Sequence, residues 1–577
     1  MLQGDPESAL FAIGFEMPMI WWGLCTRRND CRRIAFCANK RQYWRRTAMP
    51  IRSIKMFSSA PLFFMGIAFA VSAAFAQSQN QCAEMTKFKL PGVQLEITRA
   101  AWVPAGPAPA MGPGGMGGGV ALPAHCRVDG MIDRRGGAGG DTYGIGFAVS
   151  LPDNWNGRFL QQGGGGLNGT VAEPMGGGGA GSQPALIRGF AVATTDTGHQ
   201  AKGGGGFDAK FMQDQQALVD FEYAAIGRVA LIAKQIVEAY YAKPPARSYF
   251  SGCSTGGREA MLMTQRYPLY FDGVIAGAPA MRTGLSNLAD RTVSVALSRI
   301  APKGADGKPV PGGGLSDSDR KLIISKLLEK CDDRDGVKDG MIFDVLGCDF
   351  DPASLVCKGQ KTDGCLSQPQ VAALQEGFAG PKDSRGNQVY PGFFFDTGIA
   401  ASGQGIPGLI ASGPSPLGNV NSGTEQNIDK EAAAADANPG SRLGDSAYWT
   451  NLNTFSSHGG KLIFYHGISD PWFSAKDTIG YYERMMEANG GQAQAKNWSR
   501  LFLVPGMGHC SGGSATLDSF DLLSALIDWV EKGAAPDSVK ATGRAFPGRS
   551  RPLCPFPAHT QYKGQGDTED AANFECK

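Results

Sequence analysis

Ser248-Tyr249-Phe250-Ser251-Gly252-Cys253-Ser254-Thr255-Gly256-Gly257 is the stretch on which the fold of this chain turns. Residues 248–252 fit a short buried strand, and residues 257–267 fit a helix. Between them stands Gly252-Cys253-Ser254-Thr255-Gly256, a Gly-x-Ser-x-Gly pentapeptide. That pattern builds a sharp strand-to-helix turn and lifts a serine hydroxyl to the edge of a sheet, where it can attack a carbonyl. In a chain with 81 glycines the pentapeptide also arises by chance, so the surrounding residues decide its meaning.

Those surroundings alternate. Further strands are expected at 147–151, 159–162, 191–195 and 271–276. A helix is expected over 221–241, with Ala224, Ala225, Val229, Ile232, Ile236 and Ala239 on one face and Pro244-Pro245 ending it. Strands alternating with helices predict a mostly parallel sheet. The rhythm stops near Pro279, and residues 280–458 read as loop-rich, with helices at 317–330 and 368–378. It resumes with a strand at 461–466, a helix at 481–488, a strand at 500–504 and a closing helix at 517–532. The expected fold class is α/β: an α/β-hydrolase core over 77–280 and 459–577, interrupted by a large inserted lid domain over 281–458.

At 577 residues, with 42% hydrophobic and 19% charged residues, the chain has the composition of a globular protein with a large core. Arg52 and Lys55 precede an apolar run over 56–75, and Ala74-Phe75-Ala76 offers a small-x-small cleavage site. This is a secretory signal pattern, which predicts a secreted or periplasmic protein without a lasting membrane anchor. Residues 1–48 precede the natural start of such a signal and read as an over-extended N-terminus. Residues 1–76 carry 10 of the 55 Lys and Arg but only 4 of the 53 Asp and Glu, so the remainder is slightly acidic and offers nothing to a nucleic acid. Ten of the 13 cysteines follow the signal, an even number in a chain bound for an oxidising compartment. Pairing by sequence order gives Cys82–Cys126, Cys331–Cys348, Cys357–Cys365 and Cys554–Cys576, and leaves Cys253 and Cys510 for each other. Zinc is the competing use of cysteine, but no Cys-x-x-Cys pair is present.

A serine nucleophile needs a base, an acid that orients the base, and donors for the oxyanion. In this fold the order along the chain is serine, acid, histidine. Asp470 follows the strand at 461–466, and His509 follows the strand at 500–504, so both sit on loops at the ligand-facing edge of the sheet. His509 is the expected base and Asp470 its partner, with Asp477 as the spare acid and His466 as a rival base or substrate-side residue. The oxyanion donors expected are the N–H of Thr255 and that of Gly164, in the glycine run 163–166 after the strand at 159–162.

Residues 331–340, Cys-Asp-Asp-Arg-Asp-Gly-Val-Lys-Asp-Gly, pack four carboxylates into eight positions. Such a cluster repels itself unless it is solvated or holds a hard cation. The spacing is not that of an EF-hand. Two readings stand: a solvated acidic turn, or a structural Ca2+ site built from Asp332, Asp335 and Asp339 with the carbonyls of Val337 and Met341.

Taken together, Cys253-Ser254, Asp470 and His509-Cys510 resemble the Cys-Ser…Asp…His-Cys arrangement of the tannase and feruloyl esterase family of α/β-hydrolases. The resemblance extends over roughly 82–576. It implies a disulfide joining the cysteines beside serine and histidine, a glycine loop at 162–166, and a lid calcium loop at 331–341. It also implies hydrolysis of small aromatic acid esters of the feruloyl, galloyl or terephthalate monoester type through an acyl-serine intermediate. Stretches 252–260, 465–478 and 500–513 are most similar to the terephthalate-monoester branch, which places Phe473 and Trp472 in the acyl pocket. That branch holds the substrate's free carboxylate with a lid arginine and tryptophan, whereas residues 386–441 contain neither. Neutral lid residues such as Phe393, Phe394, Phe395 and Leu409 would suit a plain aromatic ring. The same triad would also serve acyl transfer between alcohols, and a binding protein without turnover is the remaining alternative.

Overall fold

The spine of the protein is a mixed sheet seen in a computed structural model that describes residues 78–108, 120–179, 181, 183–202, 206–400, 405–407 and 423–577. The N-terminal extension and signal segment lie outside the described residues. Nine strands form the sheet: β1 (Leu95–Val103), β2 (His125–Gly136), β3 (Thr142–Pro152), β4 (Arg158–Gln162), β5 (Ala191–Thr195), β6 (Arg247–Cys253), β7 (Gly273–Gly277), β8 (Lys461–Gly467) and β9 (Ser499–Val504). Their order is β1-β2-β3-β5-β4-β6-β7-β8-β9. From β5 to β9 every pairing is parallel, while β1, β2 and β3 join antiparallel at one side. β5 and β7 are buried at every position, as strands covered on both faces must be.

The seven strands expected from sequence all form, but β1 and β2 were not anticipated. β1 carries a bulge between Ile97 and Arg99, which breaks the alternation that would have marked it. The closing helix also starts later than 517. Ser519–Phe520 pairs as a short strand, and Asp521 caps the helix Leu522–Lys532 through the N–H of Ser524.

Helix α1 (Ala225–Tyr241) follows a π-helical turn at Asp220–Ala224, and α2 (Thr255–Gln265) leaves the end of β6. Between β7 and β8 the chain builds a layer with its own apolar cluster. There Leu285, Ala289, Val293 and Leu297 of α3 (Thr283–Ile300) gather with Ile323 of α4 (Asp317–Cys331) and with Val371, Leu374 and Phe378 of α5 (Gln368–Ala379). Helix α3 falls in the stretch expected to be loop-rich; Ser286, Asn287, Asp290, Thr292 and Ser294 interrupt its apolar face, yet all five are buried. Two shorter helices, α6 (Ile428–Ala437) and α7 (Pro439–Gly444), return the chain to the core, and α8 (Ala475–Ala488) follows β8. The ten cysteines after residue 76 form five disulfides in the sequence-order pairing, including Cys253–Cys510 with Cα atoms 5.9 Å apart.

Candidate active site

Ser254 stands at the turn between β6 and α2 with φ 66° and ψ −124°, a backbone conformation in which L-residues are strained. The flanking glycines make the turn possible. A Cβ on Gly252 would lie 2.5 Å from the carbonyl oxygen of Gly256, and one on Gly256 would lie 2.7 Å from that of Gly164. The Gly256 N–H donates to Gly164 at 3.1 Å and the Arg258 N–H to the Ser254 carbonyl at 3.0 Å. Thr255, at the first helical position, keeps its N–H at the open end of α2.

Asp470 and His509 follow the ends of β8 and β9, as their sequence positions predict. His509 Nδ1 donates to Asp470 Oδ2 at 2.8 Å, and His509 Nε2 is buried without a hydrogen-bond partner among the described residues. Asp470 Oδ1 accepts the backbone N–H groups of Trp472 at 2.9 Å and Phe473 at 3.2 Å. Burial alone would raise the Asp470 carboxyl. The hydrogen bonds of His509 and His466, and their charge when protonated, outweigh burial and hold it well below its ordinary value. Trp472 lies parallel to the His509 ring at 5.5 Å, and Phe473 packs on it at 5.3 Å.

His466 has a different place from the substrate-side one expected. Its side chain is wholly buried, 3.3 Å from Asp470 Oδ2, with Nε2 donating to the Phe473 carbonyl at 3.0 Å and Nδ1 accepting from Thr478 Oγ1 at 2.8 Å. It stands behind the acid, on the side of β8 where Thr478 of the helix Ala475–Ala488 meets it. The spare acid Asp477 is committed to Arg282 and is not bonded to His509. Gly164 also differs: its N–H donates to Glu259 Oε2 at 2.9 Å, so it is turned away from any substrate. Gly165, the next residue, borders open space.

Two supporting residues escaped sequence reading. Glu259, on the buried side of α2, accepts from Gly164 and from Asn168 Nδ2, at 3.0 Å, and so ties the glycine loop to the nucleophile helix. Asp396, from the inserted layer, accepts from Ser469 Oγ and from the Gly506 N–H, both at 2.7 Å, and thereby joins the loops that carry Asp470 and His509. Neither residue belongs to a motif; each matters only through contacts made across long stretches of chain.

A pocket opens over Ser254. Phe207, Trp472 and Phe473 form one wall, and Leu167, Met212 and Phe221 another. Thr283 and Asn287 of α3 and Asn438, Ser441 and Asp445 around α7 close it from the inserted layer. Phe393 and Phe395 are not on these walls. They pack in the inserted layer, where Phe395 stacks on Phe378 at 4.2 Å. Leu409 lies outside the described residues.

In the acidic loop, Asp332 accepts from the N–H groups of Asp339 and Gly340, each at 3.1 Å, and Asp339 pairs with the buried Arg551. Asp335 Oδ1 accepts from the Val337 N–H at 3.2 Å, but its buried Oδ2 has no partner among the described residues. Burial, with the charges of Asp339 and Asp332, raises the Asp335 carboxyl to about 7. Among the described residues no three His, Cys, Asp or Glu side chains converge as a ready-made metal cage.

The profile of the family described as tannase and feruloyl esterase matches residues 126–428 and 416–577. The chain belongs to that family. It is 36% identical over 548 residues to mono(2-hydroxyethyl) terephthalate hydrolase of Piscinibacter sakaiensis, covering 84% of this chain and 89% of that one. It is 32% identical to a probable feruloyl esterase of Arthroderma benhamiae, covering 76% and 83%. The crystal structure of an esterase from Aspergillus oryzae superposes with a TM-score of 0.69 at 26% identity, covering 86% of this chain and all of that one. The chain is a carboxylic ester hydrolase with an α/β fold. No helix among the described residues is long and apolar enough to cross a membrane.

Proposed function

We propose that this enzyme hydrolyses esters of aromatic carboxylic acids through an acyl-serine intermediate at Ser254. The observation that carries the reading is the 2.8 Å His509–Asp470 bond beside an unpartnered His509 Nε2, on a loop tied by Cys253–Cys510 to the nucleophile turn. Nε2 takes the Ser254 proton as the hydroxyl oxygen attacks the ester carbon. The resulting oxyanion is held by the N–H of Thr255 and by that of Gly165, in place of Gly164. Collapse of the intermediate expels the alcohol, which leaves with the proton from His509. Water, deprotonated in turn by His509, then attacks the acyl-serine and releases the acid. Asp470 fixes the tautomer and stabilises the imidazolium in both halves. Phe473, Trp472, Leu167 and Phe221 give an aromatic acyl ring apolar walls. Relatives named for ferulate and terephthalate esters support that substrate class.

Ser254→Ala is expected to remove turnover of methyl benzoate by a factor on the order of 10³ or more, with binding of the ester retained. Full activity in that variant would end the mechanism. The signal pattern and five disulfides support export to the periplasm or beyond.

A structural Ca2+ belongs to the same proposal. The buried orphan oxygen of Asp335 and the adjacent Asp332 and Asp339 fit a hard cation, with the carbonyls of Val337 and Met341 available as neutral ligands. The ion would neutralise the carboxylates of a loop that Cys331–Cys348 closes. Chelation is expected to lower Tm by several degrees and leave kcat within about twofold at 25 °C, since no step of the chemistry uses the ion. Metal-free purified protein with an unchanged Tm on adding Ca2+ would leave only an acidic turn.

A further inference from the structure

The far wall of the pocket is charged. Arg258 stands one turn after Ser254 on α2, and its guanidinium pairs with Glu222, both side chains less than one-tenth exposed. It also lies over the Phe221 ring at 4.8 Å. Glu222 and Phe221 belong to the π turn Asp220–Ala224, a wide turn that breaks the α-helical register beside the pocket. The inserted layer closes directly on this pair: a Cβ at Gly444 would collide with the Glu222 carboxylate and the Arg258 guanidinium. Asp445 follows, lines the same pocket, and its carboxyl makes no ion pair or hydrogen bond among the described residues.

Glu222 already matches the charge of Arg258, Asp445 adds a second carboxyl nearby, and Arg282, the other cation that acts on Asp445, is committed to Asp477. An acyl group bearing a free carboxylate would bring a third anion to this wall. Without a new cation, its desolvation and the repulsion go uncompensated. A phenolic hydroxyl meets complementary groups: it can donate to Asp445 and accept from Arg258 Nε, a buried N–H with no partner among the described residues. Burial raises the Asp445 carboxyl to about 7, and in either protonation state one of its oxygens remains an acceptor.

Resting on the ester-hydrolase reading above, we infer that Asp445 and Arg258 select aromatic acyl groups with a hydroxyl on the ring edge remote from the ester, and that Asp445 with Glu222 excludes a free carboxylate there. The preference is thus for hydroxylated aromatic acids and against terephthalate monoesters, in contrast to the named substrate of the Piscinibacter sakaiensis relative.

The test is a panel of three esters with one ring and one leaving group: methyl 4-hydroxybenzoate, methyl benzoate and monomethyl terephthalate. For the wild type, kcat/KM of the hydroxylated ester should exceed that of the unsubstituted one by about tenfold or more, and the carboxylated ester should fall to about a tenth of it or less. Asp445→Asn keeps an acceptor and removes the charge, so the carboxylated-to-unsubstituted ratio should rise about tenfold. Asp445→Ala should bring the hydroxylated-to-unsubstituted ratio close to one. A wild type that prefers monomethyl terephthalate, or variants in which all three esters fall together, overturns the inference. The wild-type ranking decides the matter even if neither variant folds. A flat ranking in an enzyme silenced by Ser254→Ala rejects only this inference; turnover that survives Ser254→Ala rejects the reading beneath it.

Discussion

The sheet edge and the inserted layer meet across one pocket, yet they are assembled by different means. At the edge, each catalytic candidate lies within a few residues of a strand end and is held largely by its immediate neighbours. Asp470 Oδ1, for example, is satisfied by the N–H groups two and three residues on. The opposite wall gathers Glu222, Arg258, Asn287 and Asp445 from four separate segments. On the proposed reading, local geometry secures the chemistry, and tertiary contact secures the choice of substrate. Asp396 shows that the division is not complete, since a residue of the inserted layer joins the two loops of the edge.

If the edge carries the chemistry, its variants should lose kcat, whichever ester is used. The largest effect is expected from Asp470→Asn: a fall in kcat on the order of 10³–10⁴, from loss of the tautomer and of the imidazolium's counter-charge. The loss should be the same for every ester in a panel; an ester-dependent loss would mean that Asp470 belongs to the pocket wall. Next comes Cys253→Ala with Cys510→Ala. Removing a native cross-link between residues 257 apart in sequence costs about 2–5 kcal/mol of stability. A shift of His509 by an ångström relative to Ser254 would lower kcat about 100-fold. The corresponding removal of Cys357–Cys365, which spans only eight residues of the inserted layer, should leave kcat intact. Equal losses from the two pairs, measured by active-site titration beside thermal unfolding, would erase the distinction between edge and layer.

The same distinction explains what the sequence made legible. Gly252, Ser254 and Gly256 announce their turn because the close approach of Gly252 to Gly256 admits no other residue. Asp470 and His509 are legible from their distance to a strand end. His466 was misplaced because spacing gives its position on β8 but not which face of a buried strand it occupies. Gly164 is the expectation because a run of four glycines carries no mark of which N–H is already taken; the buried Glu259 takes that of Gly164 from a distant helix. The helix α3 was hidden by its own buried polar residues, whose partners and neighbours lie far along the chain. Asp445 has no local signature at all, being one acid in an exposed-looking stretch until α7 presses it to the pocket.

Glu259 gives the smallest and most discriminating prediction. Its two oxygens accept one hydrogen bond each, from the Gly164 N–H and from Asn168 Nδ2. Glu259→Gln leaves a single acceptor oxygen and sets an NH2 group against one of these donors. If the oxygen keeps Gly164, the new NH2 faces the Asn168 amide. Asn168 Oδ1 is buried without a partner among the described residues, so rotation of that amide turns a donor–donor clash into a hydrogen bond. The substitution also removes a carboxyl that burial has already raised above its ordinary value, which offsets part of the loss. What remains is a looser glycine loop and a less well aimed Gly165 N–H. The oxyanion exists only in the transition state, so the cost should fall on kcat, by about tenfold, with KM nearly unchanged. Glu259→Ala abolishes both bonds and should cost about ten times more. A rise in KM with kcat preserved would instead place Glu259 among the groups that shape the acyl pocket, on the far-wall side of the comparison.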